Sequence, residues 1–392
     1  MQEDLHEERP QSRFPGVVGP RPHPDADRLL RAAWAHTTRR VLRQQALSIG
    51  RQPMAPRAGD LILARIDALG FHRALQLPDG RKRNLFPGDE IVVAYGNRYA
   101  SNQFEAIVPK TFGPCHLVAG GGVAAKARSW HARISNGPTV ITPVGYVLDA
   151  DDRRVNLTDY AMVALDHPPS PTPVTLAVVG SSMDAGKTGT AAFLVRGITQ
   201  AGLRVGYAKV TGTGAGGDSW LLSDAGANPV LDFTDVGHVS TYRLPLPELE
   251  RVLVNLVSHV ARTEVDAIVL EIADGVLQQE TAALLQSPVF TNLVGGVMLA
   301  AGDATGAVAC NDWLARRDIP VLGLGGVLTA APLQRSEAEA ATGLPTYTRE
   351  DLAQAQVARA ILAKARRLRL INGGNDAGTG PGREDREQAA RA

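Results

Sequence analysis

A chain of 392 residues exceeds what one hydrophobic core ordinarily organises, so two domains are the expectation. Its 41 Lys and Arg against 40 Asp and Glu leave a net charge of +1, which excludes a global electrostatic pull toward nucleic acid or an anionic membrane. The 2 cysteines, Cys115 and Cys310, provide neither a disulfide framework nor a paired-cysteine metal knuckle; with no bilayer-length apolar run and no signal-peptide core near Met1, a cytoplasmic protein is expected.

Residues 1–24 are polar and rich in proline and charge, and are predicted to be poorly ordered. Residues 25–55 read as a basic helix and linker: from Asp25 to about Leu47, the residues Leu29, Leu30, Ala33, Val41 and Leu42 recur at roughly helical spacing. The basic face of that helix (Arg28, Arg31, Arg39, Arg40, Arg43) either touches phosphates or, as is commoner, is solvated.

Across 56–166 the texture changes to short β-runs. Leu61–Ile66, Arg73–Leu77, Glu90–Tyr95, Phe104–Val108, His116–Ala119 and Val140–Leu148 are predicted strands, punctuated by Pro78-Asp-Gly80, Pro87-Gly-Asp89 and Gly113-Pro114. Such spacing predicts a small barrel or sandwich. Gly120-Gly-Gly122 followed by Val-Ala-Ala-Lys126 is either an anion-binding turn at a helix start or a tight turn. Cys115, His116 and His131 are metal-ligating types whose spacing does not demand a site. The polar stretch Asn97-Arg98-Tyr99, with Asn102 and Gln103, faces either the other domain's site or solvent.

A proline-rich linker, 167–173, leads to residues 174–370, where strands alternate with helices, predicting a doubly wound, mostly parallel sheet with ligands outside the carboxyl ends of its strands. Residues 371–392 read as a disordered tail. Val174 to Val179 is an unbroken apolar run, the pattern of a parallel strand buried on both faces. It breaks into a glycine-bounded turn, and Gly189 to Ala201 is helix-compatible with Gly202 as its stop.

Strand, turn and helix in that order make a phosphate cradle. Successive backbone N–H groups converge on an anion, a lysine adds charge at the β/γ-phosphates, and the next hydroxyl holds Mg2+. Lys187 and Thr188 are those side chains, and Gly180, Ser181, Ser182, Met183, Asp184, Ala185, Gly186, Lys187, Thr188 and Gly189 are the expected nucleotide-binding residues. The common form of this loop has glycine where Ser181 stands; with Gly180 in that role the loop is one residue longer. The bland alternative is a glycine turn with an exposed lysine.

Glu271, ending the apolar run Ala267–Leu270, is placed to bind Mg2+ or orient the attacking group, or is structural. Lys209, at another strand end before the glycine-rich Thr211–Asp218, is costly in an interior without an anion opposite, so it is expected to meet a terminal phosphate or a substrate carboxylate. Asp218 and Asp224 are the nearby carboxylates that could complete the metal site.

The loop Gly180-Ser-Ser-Met-Asp-Ala-Gly186-Lys187-Thr188 resembles the phosphate loop of dethiobiotin synthetases and keeps its length. Lys209 falls where that family has a catalytic lysine, Leu270-Glu271-Ile-Ala-Asp-Gly275 is similar to a segment carrying its metal-binding glutamate, and Asp224 resembles its Ser-Asp metal ligand. The resemblance covers about 174–327. It implies Lys187, Lys209 and Glu271 as catalytic groups, and Thr188, Asp224 and Glu271 as metal ligands. Ser181, Ser182 and Met183 depart from the family's Thr-Asp-Thr, and the proline after its catalytic lysine is absent. Thr211-Gly-Thr-Gly, Asp232-Phe233 and Glu271-Ile-Ala-Asp-Gly also resemble a P-loop family that includes D-amino-acid N-acyltransferases, whose front domain is Rossmann-like where this one is β-rich.

The resulting expectation is an ATP- (or GTP-) and Mg2+-dependent enzyme, ligase- or kinase-like, that phosphorylates or activates a carboxylate-type group on a small metabolite. The alternatives are an acyltransferase whose P-loop fold holds acyl-CoA phosphates, and an NTP-driven assembly or metal-insertion factor. Neither nucleic acid nor membrane is an expected partner. The resemblance further implies a homodimer.

Overall fold

The computed structural model describes residues 24–45 and 48–373, so most of the two ends expected to be disordered lies outside it; the last helix, Ala355–Gly373, runs into the expected tail. The front domain is built on strands β1 (Ala33–Trp34), β2 (Ser48–Gly50), β3 (Leu61–Ala68), β4 (Ala74–Gln76), β5 (Lys82–Asn84), β6 (Glu90–Tyr95), β7 (Arg98–Tyr99), β8 (Phe104–Ile107), β9 (Cys115–Ala119), β10 (Val123–Trp130) and β11 (Thr139–Leu148). Antiparallel pairings run β6–β3, β3–β11, β11–β9 and β9–β10, and a parallel pairing of β10 with β6 closes the ring into a small barrel. Closure leaves these strands without a free edge.

Alternate residues of β3 and β6 serve two separate cores, which explains why both strands read as continuous apolar runs. Ile62, Ala64, Ile66, Ile91 and Val93 pack on one side; Leu61, Leu63, Val92 and Ala94 pack on the other with Leu29, Trp34, Val41 and Val239.

Two expectations for this region, the long basic helix and its solvated face, need correction. The long basic helix is only α1 (Pro24–Arg31); after it, Ala33 and Trp34 pair with Ile91 and Val92, and the chain continues in short 3-10 turns. The buried Trp34 side chain, 1% exposed, donates from Nε1 to Leu29 O at 2.8 Å and ends the helix by folding the chain back on it. The arginines there are also not a solvated face as a group: Arg28 binds Glu90, and Arg39 and Arg40 reach the second domain. Gly120-Gly-Gly122 is the tight turn of the β9–β10 hairpin, and Val123–Lys126, which reads locally as a helix start, is strand paired to β6, β8 and β9.

The second domain holds a six-stranded, wholly parallel sheet of β12 (Val174–Gly180), β13 (Val205–Lys209), β14 (Val230–Asp232), β15 (Ala267–Glu271), β16 (Val297–Ala300) and β17 (Val321–Gly325), in the order β14-β13-β15-β12-β16-β17. Helix α2 (Lys187–Gln200) and the helix Ala355–Gly373 cover one face; α3 (Gly216–Ala225) follows β13, and α4 (Leu246–Ala261) packs on the opposite face. Because β12 sits between β15 and β16, the chain leaves it in the crevice where such sheets bind ligands.

The two domains are fastened together. Arg39 donates to Asp232 at 3.3 Å, to Asp235 at 2.7 Å and to Thr234, while Gln76 of β4 accepts from Gly216 N at 2.9 Å. The barrel's β9–β10 turn lies so close to Gly214 that a Cβ on Gly121 would stand 2.1 Å from its carbonyl oxygen.

Candidate functional site

Strand β12, a glycine-bounded turn and helix α2 follow one another in the order the sequence predicts. Gly186 adopts φ 97°, a left-handed conformation that only glycine takes without strain, and α2 begins at the next residue with no side chain capping it. The first N–H groups of this helix therefore point outward without intrahelical partners, and its dipole favours an anion there. Lys187 is 7% exposed, and its Nζ donates to Ser182 O at 2.8 Å, so the ammonium arches over the loop. Burial holds its pKa below the ordinary lysine value. The segment after β15 supports the loop from beneath: a Cβ on Gly275 would stand 2.7 Å from Ser181 O.

Beside the loop the carboxyl ends of β13 and β15 bring a polar cluster together. Glu271, 1% exposed, accepts from Thr188 Oγ1 at 3.3 Å and from the Tyr207 hydroxyl at 3.0 Å, and lies 3.1 Å from Lys209 Nζ. Lys209 also pairs with Asp218. Burial works to lower the lysine's pKa, but Asp218 and Glu271 outweigh it and hold the ammonium well above its ordinary value. Within the protein, Lys209 thus has two carboxylates as its counter-ions.

Asp224 is corrected. It is exposed on α3 and lines a neighbouring cleft with Asp79, Lys82 and Trp220, whereas Asp218, in the first turn of α3, reaches the cluster. Among the described residues no group of three His, Cys, Asp or Glu gathers as a metal site. Cys115 is buried in the barrel core, and His116 and His131 each accept a backbone N–H at 3.1 Å, from Ala127 and Arg133. For Mg2+ the fit is of the P-loop kind: a hydroxyl and a carboxylate already in contact at the foot of an uncapped helix, with phosphates and water left to supply the remaining ligands.

The phosphate loop opens into a cavity of about 630 Å³ between the domains, lined on one side by Asp184, Lys187, Thr188, Lys209, Glu271 and Asp274 and on the other by His72, Arg98, Tyr99 and Gln103 of the barrel. The polar stretch around Arg98 therefore faces the site. Asn102 Nδ2 donates to Asp184 Oδ2 at 2.7 Å, tying the barrel to the loop itself. Asp274 and Arg98 were not among the expected site residues. Burial raises the Asp274 pKa against the nearby Lys187, Lys209 and Arg98, whose charges all converge on it. The signal for Asp274 was its place three residues beyond Glu271; for Arg98 only its polar neighbours hinted at a role.

With loop, sheet order and carboxylate cluster in place, this is a P-loop NTPase fold. The sequence matches no protein-family model and no curated protein. Among solved structures it is similar to the signal recognition particle 54 kDa protein of Aeropyrum pernix K1, in complex with GDP, at 19% identity and TM-score 0.33, covering 56% of each chain. A second is the signal recognition particle receptor FtsY of Elizabethkingia anophelis, at 16% identity and TM-score 0.35, covering 54% of this chain and 76% of that one. A third is a DUF1611 family protein of Anabaena variabilis, at 15% identity and TM-score 0.37, covering 52% and 62%. The match thus spans little more than half the length of the first of these proteins. Such likenesses reach no further than the fold, and they lend no support to the narrower resemblance to dethiobiotin synthetases.

Proposed function

We propose that this protein is an Mg2+-dependent nucleoside-triphosphatase of the group-transfer kind, which passes a phosphoryl group to a carboxylate-type group on a small metabolite. The observation that carries the reading is the shared cavity: the uncapped N-terminus of α2, with Lys187 and Thr188, opens onto a space walled on its other side by a second domain. A space of this size beside a phosphate site has room for an acceptor.

In this reading the backbone N–H groups of residues 184–188 and the Lys187 ammonium hold the phosphate tail, and the developing charge in transfer is met by groups already in place. Mg2+, with Thr188 and Glu271 as its protein ligands, would supply charge neutralisation between the phosphates. Lys209 lies within reach of Glu271 and Asp218, so it can exchange a carboxylate partner for an incoming anion without moving into an unpaired state. Asp274, held toward its protonated form by burial, lines the same cavity as a group able to take or hold a proton.

Lys187→Ala tests the core of the proposal. Nucleotide affinity should fall by roughly a hundredfold or more, with the fold unchanged because a buried, desolvated ammonium is removed. Calorimetric titration with Mg-ATP and Mg-GTP checks this; equal affinity in wild type and variant overturns the site. Turnover of an acyl-CoA with no nucleotide consumed overturns the phosphoryl-transfer assignment instead.

A further inference from the structure

The barrel's wall of the cavity holds a guanidinium for which the protein provides no counter-ion. Arg98, on β7, is 6% exposed. Its Nη1 donates to Val118 O and its Nη2 to Gln103 Oε1 at 2.5 Å, while Nε has no partner. Both acceptors are neutral, and among the described residues no carboxylate lies within ion-pair distance of it. His72 gives no charge compensation either: its Nε2 must donate to the Val118 carbonyl, at 2.9 Å, and burial with the Arg98 charge beside it pushes its pKa down to about 3.

A buried, unpaired cation is expensive, and proteins keep one where a ligand supplies the missing charge. Within the protein that charge is countered by Asp274, felt through space and shared with Lys187 and Lys209. Arg98 therefore sits across the cavity from the phosphate loop, with Nε unpaired and a charge that the protein meets only at a distance, through Asp274. Its planar fork suits a carboxylate.

We infer that Arg98 anchors a carboxylate of the small-molecule acceptor, Gln103 fixing the plane of its guanidinium, so that the acceptor spans from the barrel to the phosphate loop. The inference rests on the phosphoryl-transfer reading, because only an acceptor has to reach that loop.

The test uses the full chain saturated with Mg-ADP, titrated calorimetrically with malonate, succinate and glutarate, and separately with inorganic phosphate. At least one dicarboxylate should bind the wild type, and Arg98→Lys, which retains the charge and a donor for Val118 O but loses the fork, should weaken it roughly tenfold or more. Mg-ADP affinity should stay unchanged. Equal dicarboxylate binding in wild type and Arg98→Lys overturns the inference while leaving the nucleotide site standing, as does wild-type protein that binds Mg-ADP but none of the dicarboxylates. Phosphate binding more tightly than every dicarboxylate and lost in Arg98→Lys overturns the choice of carboxylate. Loss of Mg-ADP binding in wild type would strike the proposed function instead. If Arg98→Lys does not fold, the wild-type titrations alone decide.

Discussion

Replacing Lys209 with methionine keeps the length of the side chain and removes only the ammonium that two carboxylates share. Glu271 is 1% exposed and the Asp218 side chain 30%, and both grip the same nitrogen. Two acceptors of one ammonium are at most about two hydrogen-bond lengths apart. Without the cation they face each other as like charges, and at roughly 5 Å with an effective dielectric constant of about 20 the repulsion is about 3 kcal/mol. That sits at the lower end of the 3–5 kcal/mol or so that follows when one partner of a buried pair is removed, as the part-exposed Asp218 requires. For a domain of this size such a loss lowers the melting temperature by roughly 6–12 °C. The variant should also gain what the wild type lacks, a pair of facing carboxylates that millimolar Mg2+ stabilises without nucleotide. Thermal unfolding with and without Mg2+ measures both effects. A melting temperature that neither falls nor responds to Mg2+ would refute the claim that Lys209 holds the two carboxylates together.

Glu271→Gln should keep the Tyr207 hydrogen bond through its amide oxygen, lower Mg2+-dependent nucleotide turnover by roughly a hundredfold, and change nucleotide affinity only a few-fold; equal losses in both, read from turnover and calorimetry, would make the residue structural. A pH effect follows from His36, 3% exposed, whose pKa burial and Arg39 push down to about 4. Below the ordinary histidine value the unfolded chain takes up a proton that folded His36 refuses, so the unfolded state binds more protons and stability falls between about pH 6.5 and 4, by about 2 kcal/mol at pH 5. Urea unfolding at several pH values should show a shallower slope in His36→Gln; an identical slope would exclude His36 as a source.

The parallel sheet was legible because strands buried on both faces leave unbroken apolar runs, and because Lys209 and Glu271 interrupt those runs where a ligand crevice has to be. The N-terminal helix was over-read: Leu29, Ala33 and Val41 keep helical spacing, yet Trp34 gains more by burial and by pairing alongside β6. Val123–Lys126 misleads for a similar reason, since alanine and lysine favour helix locally while strands on several sides override them. The choice between Asp218 and Asp224 depended on where α3 begins. Starting at Gly216, the helix puts Asp218 in its first turn near Lys209 and carries Asp224 about 9 Å further along its axis, on another face. The barrel's approach to the phosphate loop was one of two readings of the polar stretch from Asn97 to Gln103, and the sequence could not choose between them because the choice depends on contacts such as Asn102 with Asp184 that join segments 82 residues apart.

Those contacts bear on why a second domain is there at all. Asp184 stands at φ 64°, a conformation costing a non-glycine residue roughly 1 kcal/mol or more, and its carboxylate accepts from a barrel asparagine. The shape of the phosphate loop is thus held in part from outside its own domain. The charges of the cavity lead to the same conclusion. Arg73, Lys82, Arg98, Lys187 and Lys209 line it against Asp184, Asp218, Glu271 and Asp274, and the loop domain's own lysines are outnumbered by its carboxylates. A metal–nucleotide complex still carries net negative charge, so an anionic acceptor entering beside it would be repelled by a P-loop domain acting alone. The barrel provides Arg73, Lys82 and Arg98, all cations, and thereby makes it electrostatically feasible to hold two anions in one space. Nucleotide and acceptor would then share a set of charges and one loop, so each should alter the other's affinity, and by the same factor in both directions.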